Sequence, residues 1–127
     1  MNDNCWFCGI KETDPENVIM ENQLVRAIWD GEPVSQGHAL IVPLRHVQSY
    51  FDISDAEVLA IYHMLRETKK IIDDQFHPDS YNIGINNGVE AGQTVYHCHT
   101  HLIPRYAGDV SDPRGGVRRT IPGKEHE

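Results

Sequence analysis

Three of the eight histidines stand at alternate positions in the stretch Gln93-Thr94-Val95-Tyr96-His97-Cys98-His99-Thr100-His101-Leu102-Ile103-Pro104-Arg105. On an extended strand residues two apart face the same way, so His97, His99 and His101 form one row of imidazoles while Cys98, Thr100 and Leu102 point to the other side. A neutral imidazole is a usable nucleophile near pH 7. Several imidazoles on one face can also share a metal ion, and the bland alternative is three unrelated surface histidines. Strict alternation beside Gln93-Thr94 and a glycine-containing loop favours a site over that alternative.

The second group with chemical potential is Cys5-X-X-Cys8. The chain has three cysteines, which cannot all pair, and Cys5 and Cys8 are spaced to hold one metal ion between two thiolates. Zinc would then need two further ligands, and His46 is a better companion for the thiols than an all-histidine set. A nucleic-acid zinc finger is excluded by spacing: 37 residues separate Cys8 from His46, where a finger has about 12. Cys98 reads as the buried neighbour of the histidine row.

These groups must be positioned by a fold, and the pattern points to one domain. The 127 residues suit a single core. Val18 to Trp29 predicts a hairpin turning at Glu21-Asn22-Gln23, and His38 to Pro43 predicts a strand ended by its proline. Ser54-Asp55-Ala56-Glu57 is a capping-box pattern. Behind it Val58, Ile61, Tyr62, Leu65, Ile72 and Phe76 recur at helical spacing, so one helix of about 20 residues is expected before Pro78. Tyr81 to Ile85 reads as a strand, Asn86 to Gly92 as a turn-rich loop, and Thr94 to Pro104 as the histidine strand. Strands around one long helix, without regular βαβ alternation, predict an α+β fold with a mainly antiparallel sheet and a short second helix or turn.

Charge narrows the partners. The formal charge of −8 argues against a general grip on a nucleic-acid backbone. No apolar run approaches the roughly 20 residues of a membrane span. With no export-type N-terminal segment evident, a cytoplasmic location is expected. The charge is uneven, however: up to Pro104 there are six Lys/Arg against fifteen Asp/Glu, and from Arg105 onward five against four. Any bound anion must be met by local donors.

The run His97-Cys98-His99-Thr100-His101-Leu102-Ile103 resembles the signature of the histidine triad (HIT) superfamily of nucleotide hydrolases and transferases, His-φ-His-φ-His-φ-φ with φ apolar; Thr100 is its one imperfect position. The resemblance extends from Cys5 to about Arg105 through Trp29-Asp30, Gly37-His38, Ile41-Val42-Pro43-Leu44-Arg45-His46 and Ala91-Gly92-Gln93-Thr94-Val95. It implies a HIT-like domain over residues 1–110 followed by a C-terminal arm over 111–127.

The resemblance also implies roles. His99 would be the nucleophile that attacks a nucleotide α-phosphate and carries a nucleotidyl group. Its other ring nitrogen would donate to a main-chain carbonyl of the same strand. His101 would meet the phosphate and leaving group, with His38 as the additional histidine near the α-phosphate. Asp30 matches the ribose-binding position. Asn86, Gln93 and Thr94 would be side-chain phosphate donors and the Gly92 to Val95 amides backbone donors. In zinc-bearing branches the remaining ligands are a histidine after a Pro-X-X-His turn and the first triad histidine, which implies structural zinc at Cys5, Cys8, His46 and His97. Dinucleoside polyphosphates are the expected substrates and a homodimer the expected assembly. The alternatives are a nucleoside phosphoramidase using the same residues, or a nucleotide-binding interaction module without significant catalysis. Arg114, Arg118 and Arg119 of the arm either contact distal phosphates or a second nucleoside, or belong to a solvated tail.

Overall fold

The computed structural model describes residues 5–124; residues 1–4 and 125–127, which belong to the expected domain and arm ranges, lie outside them. The long helix forms where its cap is encoded. The Ser54 hydroxyl accepts from the Glu57 amide at 3.1 Å, the Glu57 carboxylate accepts from the Ser54 amide at 2.8 Å, and helix α2 runs Asp55–Phe76. Its buried row is Glu57, Ile61, Met64, Thr68 and Ile72, while Tyr62 is exposed. The inward row is therefore rotated by about one position from the one that includes Tyr62, because Met64 and Thr68 fill the inner side.

The strands are β1 (Val18–Glu21), β2 (Val25–Trp29), β3 (Ala39–Pro43), β4 (Ser80–Gly84) and β5 (Thr100–Arg105), and a short helix α1 (Trp6–Thr13) precedes them. They form one antiparallel sheet in the order β1-β2-β3-β5-β4. The α+β class and the antiparallel sheet are as expected. Helix α2 covers one face, where Ile61 and Met64 meet Val25, Ala27 and Ile41, and Ile72 meets Ala39 and Leu102. Helix α1 covers half of the other face, with Cys5, Phe7 and Ile10 against Ile28, Leu40 and Val42.

One strand boundary differs from expectation by more than a single residue. Strand β5 begins at Thr100, six residues after Thr94. Its ladder to β3 ends at Ile41↔Thr100. Beyond it Pro43 has no amide to donate, the Leu44 amide turns to Leu24 O at 2.9 Å, and the Cys98 amide bonds Val47 O at 2.7 Å. His97 and His99 thus lie on a non-strand segment, yet the alternation survives. Leu102 packs under Ile72, whereas the His97 and His99 rings both meet Phe7 on the α1 side.

Glu57 is the most connected residue of the cap. Besides the Ser54 amide it accepts from Arg45 at 2.8 and 3.3 Å, which ties the Pro43–His46 turn to α2. Arg45, with the Ser54 donors, holds the Glu57 carboxyl below its usual range against the opposing effect of burial. This contribution is whole above the ordinary carboxylate range and is lost as pH falls through the lowered value. Ser54→Ala is expected to cost about 1 kcal/mol, and Glu57→Ala about 2 kcal/mol or more because bonds to a charged group go with it. Urea melts at pH 7 check both, and the gap between the two variants should narrow on acidification.

Candidate active site and metal centre

Cys5 is the N-cap of α1, and Cys8 follows within the first turn, its amide 3.4 Å from the Cys5 Sγ. The helix thus presents both sulfurs to His97. His97 Nε2 lies 2.8 Å from the Pro43 carbonyl oxygen. That oxygen can only accept, so Nε2 carries the proton and Nδ1 is left with a bare lone pair. Nδ1 is 3.4 Å from Cys5 Sγ, 3.5 Å from Cys8 Sγ and 3.2 Å from His46 Nδ1, and Cys8 Sγ is 3.2 Å from that same His46 nitrogen. All four ligand atoms lie within 4.8 Å of one another. Burial, with Cys5 beside it, pushes the Cys8 thiol up to about 11. Two thiols, the His97 lone pair and the His46 nitrogen that faces them fit the N/S donor set that zinc prefers. A main-chain carbonyl behind His97 supplies the usual outer support of a metal-binding imidazole.

His99 is buried next to this cluster. Its Nδ1 donates to the His97 carbonyl at 2.8 Å, which leaves Nε2 as the unprotonated nitrogen. Residue 97 therefore faces both ways, with its side chain toward the thiols and its carbonyl toward the His99 ring. Phe7, one residue before Cys8, packs edge-on against both rings at 5.6 and 5.0 Å between centroids.

On the other side of His99 lies a second histidine pair. The segment before His38 needs a glycine: Gly37 has φ +84°, and a Cβ there would approach Phe76 Cδ2 to 2.9 Å. The Val34 amide donates to His38 Nδ1 at 3.1 Å, so the proton of neutral His38 sits on Nε2. Nε2 faces His101 Nδ1 at 3.0 Å with Asp30 Oδ2 at 3.3 Å beside it. His101 then carries its own proton on Nε2, a buried N–H with no partner among the described residues. Burial, then the neighbouring His99 and His38, bring His101 down to about 4. Burial also lowers His38, although Asp30 opposes it. Asp30, His38 and His101 are close enough to suggest a second metal group, but the Val34 bond puts a proton where a metal would need the His38 lone pair. The arrangement is a chain of proton donors instead.

The loop before the triad is held by Gln93. Its Oε1 accepts from the Gly88 amide at 2.9 Å, its Nε2 reaches the Gln48 and Val95 carbonyls at 3.1 Å each, and its own amide bonds Gly88 O. Gln93 is buried, so the expectation of a side-chain phosphate donor is corrected here: its donors are spent on main-chain carbonyls, one in the loop and one at Gln48. The Thr94 and Val95 amides, in contrast, have no partner among the described residues, and Asn86, Gly92 and Thr94 are exposed. Asn87, which reads from sequence as a mere turn residue, bonds the Tyr50 amide at 2.7 Å and pins this loop to the Tyr50–Asp52 turn. Its partner lies 37 positions away, so no local signal announces it.

Next to His38 and His101 opens a cleft of about 670 Å³, floored by β4 and β5 and walled by the segment after β5, including Val110, Pro113, Gly116 and Val117. Asn86 lies on its rim. Asp30, Gly92 and the Cys/His cluster lie outside its lining.

Comparison with known proteins agrees with this geometry. The profile of the HIT domain matches residues 11–108. "Protein hit" of Bacillus subtilis is 36% identical over 93% of this chain and 81% of its own length. The asymmetrical bis(5'-nucleosyl)-tetraphosphatase of Schizosaccharomyces pombe is 36% identical over 75% of this chain and 52% of its own. Among solved structures, a Zn-bound histidine triad family protein from Mycobacterium smegmatis superposes with a TM-score of 0.74 at 33% identity, covering 84% of this chain and 78% of that one.

Nitrogen-detected NMR of the histidine rings checks the tautomers. The neutral His99 ring is expected as its Nδ1–H tautomer. His101 should stay neutral down to pH 5 and take up its proton near pH 4.

Proposed function

The chain belongs to the HIT domain family, and on that premise we propose that it is a nucleotide hydrolase or transferase acting at the α-phosphate through His99. The observation that carries this reading is the His99 tautomer: Nδ1 is tied to the His97 carbonyl, so Nε2 offers its lone pair beside an unpartnered His101 N–H. In the first step Nε2 attacks the α-phosphorus. A P–N bond forms, the bond to the leaving group breaks, and the departing oxygen takes the proton from His101 Nε2. His101 Nε2 takes its proton back from the water of the second step, while the His38 Nε2–H donates to His101 Nδ1 and holds the ring. Water then cleaves the P–N bond, releasing a nucleoside monophosphate and restoring His99. The Thr94 and Val95 amides, with the Asn86 and Thr94 side chains, are the donors for the phosphoryl oxygens; the Gly92 amide is spent on Val89 O, so the Gly92 turn shapes the loop, and Gln93 holds it in place. Asp30 anchors His38 and accepts from ribose hydroxyls.

Dinucleoside polyphosphates are the proposed substrates, in keeping with the activity named for the S. pombe relative. Zinc is proposed at Cys5, Cys8, His46 and His97 as a structural ion that pins α1 to the triad segment. It takes no part in the reaction steps. A homodimer in the cytoplasm belongs to the same proposal, and no helix of the described residues is long and apolar enough to cross a membrane.

Two measurements test it. His99→Ala should lose several orders of magnitude in kcat while retaining nucleotide binding, and mass spectrometry of quenched wild-type protein should find the nucleotidyl adduct on His99. Turnover of phosphoramidates but not of dinucleoside polyphosphates would reassign the leaving group, and absence of turnover on both would leave a binding module. Metal analysis should return one zinc per chain, Cys8→Ser should lower that occupancy, and a strong chelator should lower the melting temperature.

A further inference from the structure

The proposed phosphate donors bracket a loop that is closed on itself. Asn86 stands just before it, and Thr94 and Val95 follow it directly. Its ends are Gly88 and Gln93: the Gln93 amide donates to Gly88 O at 3.0 Å, and the Gly88 amide donates to Gln93 Oε1 at 2.9 Å. Gly88 has φ +104°, which turns the chain at the entrance of the loop. A loop bonded end to end in this way moves as one piece. The direction in which its flanking donors point is then set by how that piece is mounted on the rest of the molecule.

Two side chains mount it. Gln93 Nε2 donates to Gln48 O at 3.1 Å. Asn87 Oδ1 accepts from the Tyr50 amide at 2.7 Å, and Asn87 Nδ2 donates to Ser49 Oγ at 3.3 Å. The Tyr50 amide can only donate, so it fixes which end of the Asn87 side chain faces it. Ser49 is held in turn, its hydroxyl accepting from the Phe51 amide at 3.1 Å. Both anchors therefore land on residues 48–50, and the Cys98 amide of the triad segment bonds the adjoining Val47 O at 2.7 Å. The donor loop and the segment that carries His99 share one mount of four residues.

We propose that Asn87 is a positioning residue for the chemical step. Its side-chain amide, clamped between Ser49 and Tyr50, holds the closed loop so that the Thr94 and Val95 amides meet the phosphoryl oxygens as charge builds on them. The inference rests on the α-phosphate reading above and deepens it. Donors aimed at developing charge stabilise the transition state more than the bound substrate, so loosening their mount lowers the rate of the step and leaves substrate binding nearly intact.

The experiment measures how fast the nucleotidyl group appears on His99 after rapid mixing, with diadenosine tetraphosphate or adenosine 5'-phosphoramidate, whichever the wild-type protein turns over. Asn87→Ala should slow this step about tenfold to a hundredfold, the order that a displacement of about 1 Å costs, with KM changed by less than about threefold. Asn87→Asp keeps an acceptor for the Tyr50 amide, and the Ser49 hydroxyl, 3.4 Å from that oxygen, can donate to it. It should restore the rate to within about threefold of wild type while raising KM, because the added charge repels the substrate phosphates, and the rise in KM should shrink with added salt. An alanine variant that reacts at the wild-type rate per folded molecule, or an aspartate variant as slow as the alanine one, would overturn the proposal. Ser49→Ala decides the matter if Asn87→Ala does not fold: its rate must fall by about threefold or more at unchanged KM, and an unchanged rate overturns the proposal equally. A wild-type protein inactive on both substrates removes the α-phosphate reading and this proposal with it. An active wild type beside an unaltered alanine variant removes the proposal alone.

Discussion

His97 donates through Nε2 to the Pro43 carbonyl, and both halves of the site hang from that bond. Because the proton is on Nε2, Nδ1 faces the thiols of Cys5 and Cys8. Because the ring is held there, the carbonyl of the same residue is placed to accept from His99 and bare the opposite nitrogen. The acceptor exists because β3 ends its ladder to β5 at Ile41, so the Pro43 carbonyl is not taken up by the neighbouring strand. A proline at that position ends the strand without leaving a buried amide to satisfy. Strand termination, the Cys/His cluster and the His99 tautomer are thus one arrangement.

The sheet face opposite α2 is divided between two covers. Helix α1 closes one half and carries Phe7 against the His97 and His99 rings. The segment after β5 walls the other half, with Val110 and Val117 over β4 and β5. His99, His101 and His38 lie between them, buried enough that burial dominates the lowering of His38 and His101. Neutral imidazoles at physiological pH suit a site that must offer both a lone pair and an N–H. The acidic balance of the chain is no obstacle to the proposed substrate, since the unpartnered His101 N–H and the two unbonded amides of Thr94 and Val95, just before the triad, are donors that carry no charge.

Elements with a local physical signature were legible in the chain: the capping box that starts α2, the hairpin, the proline that ends β3, and the alternating histidines. Tyr62 was misplaced because helical spacing alone does not say which of two adjacent apolar rows turns inward. The start of β5 was misplaced because strand propensity at Thr94 to Tyr96 competes with two long-range bonds, Cys98 to Val47 and Gln93 to Gln48. Gln93 looked like a ligand donor for the same reason. Its hydrogen bonds are consumed by main-chain partners, one of them Gln48, that become visible only when the loop closes.

By itself the sequence determined which groups are present and how they are grouped: three imidazoles at period two, two thiols one helical turn apart, and a histidine after a proline turn. These follow from covalent spacing and backbone periodicity. Which nitrogen of each imidazole carries the proton was decided only by tertiary structure, because Pro43, Val34 and His97 supply the deciding partners from distant or main-chain positions. The same holds for the arm. Its arginines suggested phosphate binding, but folding spends Arg114 on Asp112 and Arg119 on main-chain carbonyls and turns valines toward the cleft. Charge is a property of residues, whereas the charge left for a ligand depends on which neighbours the fold brings near.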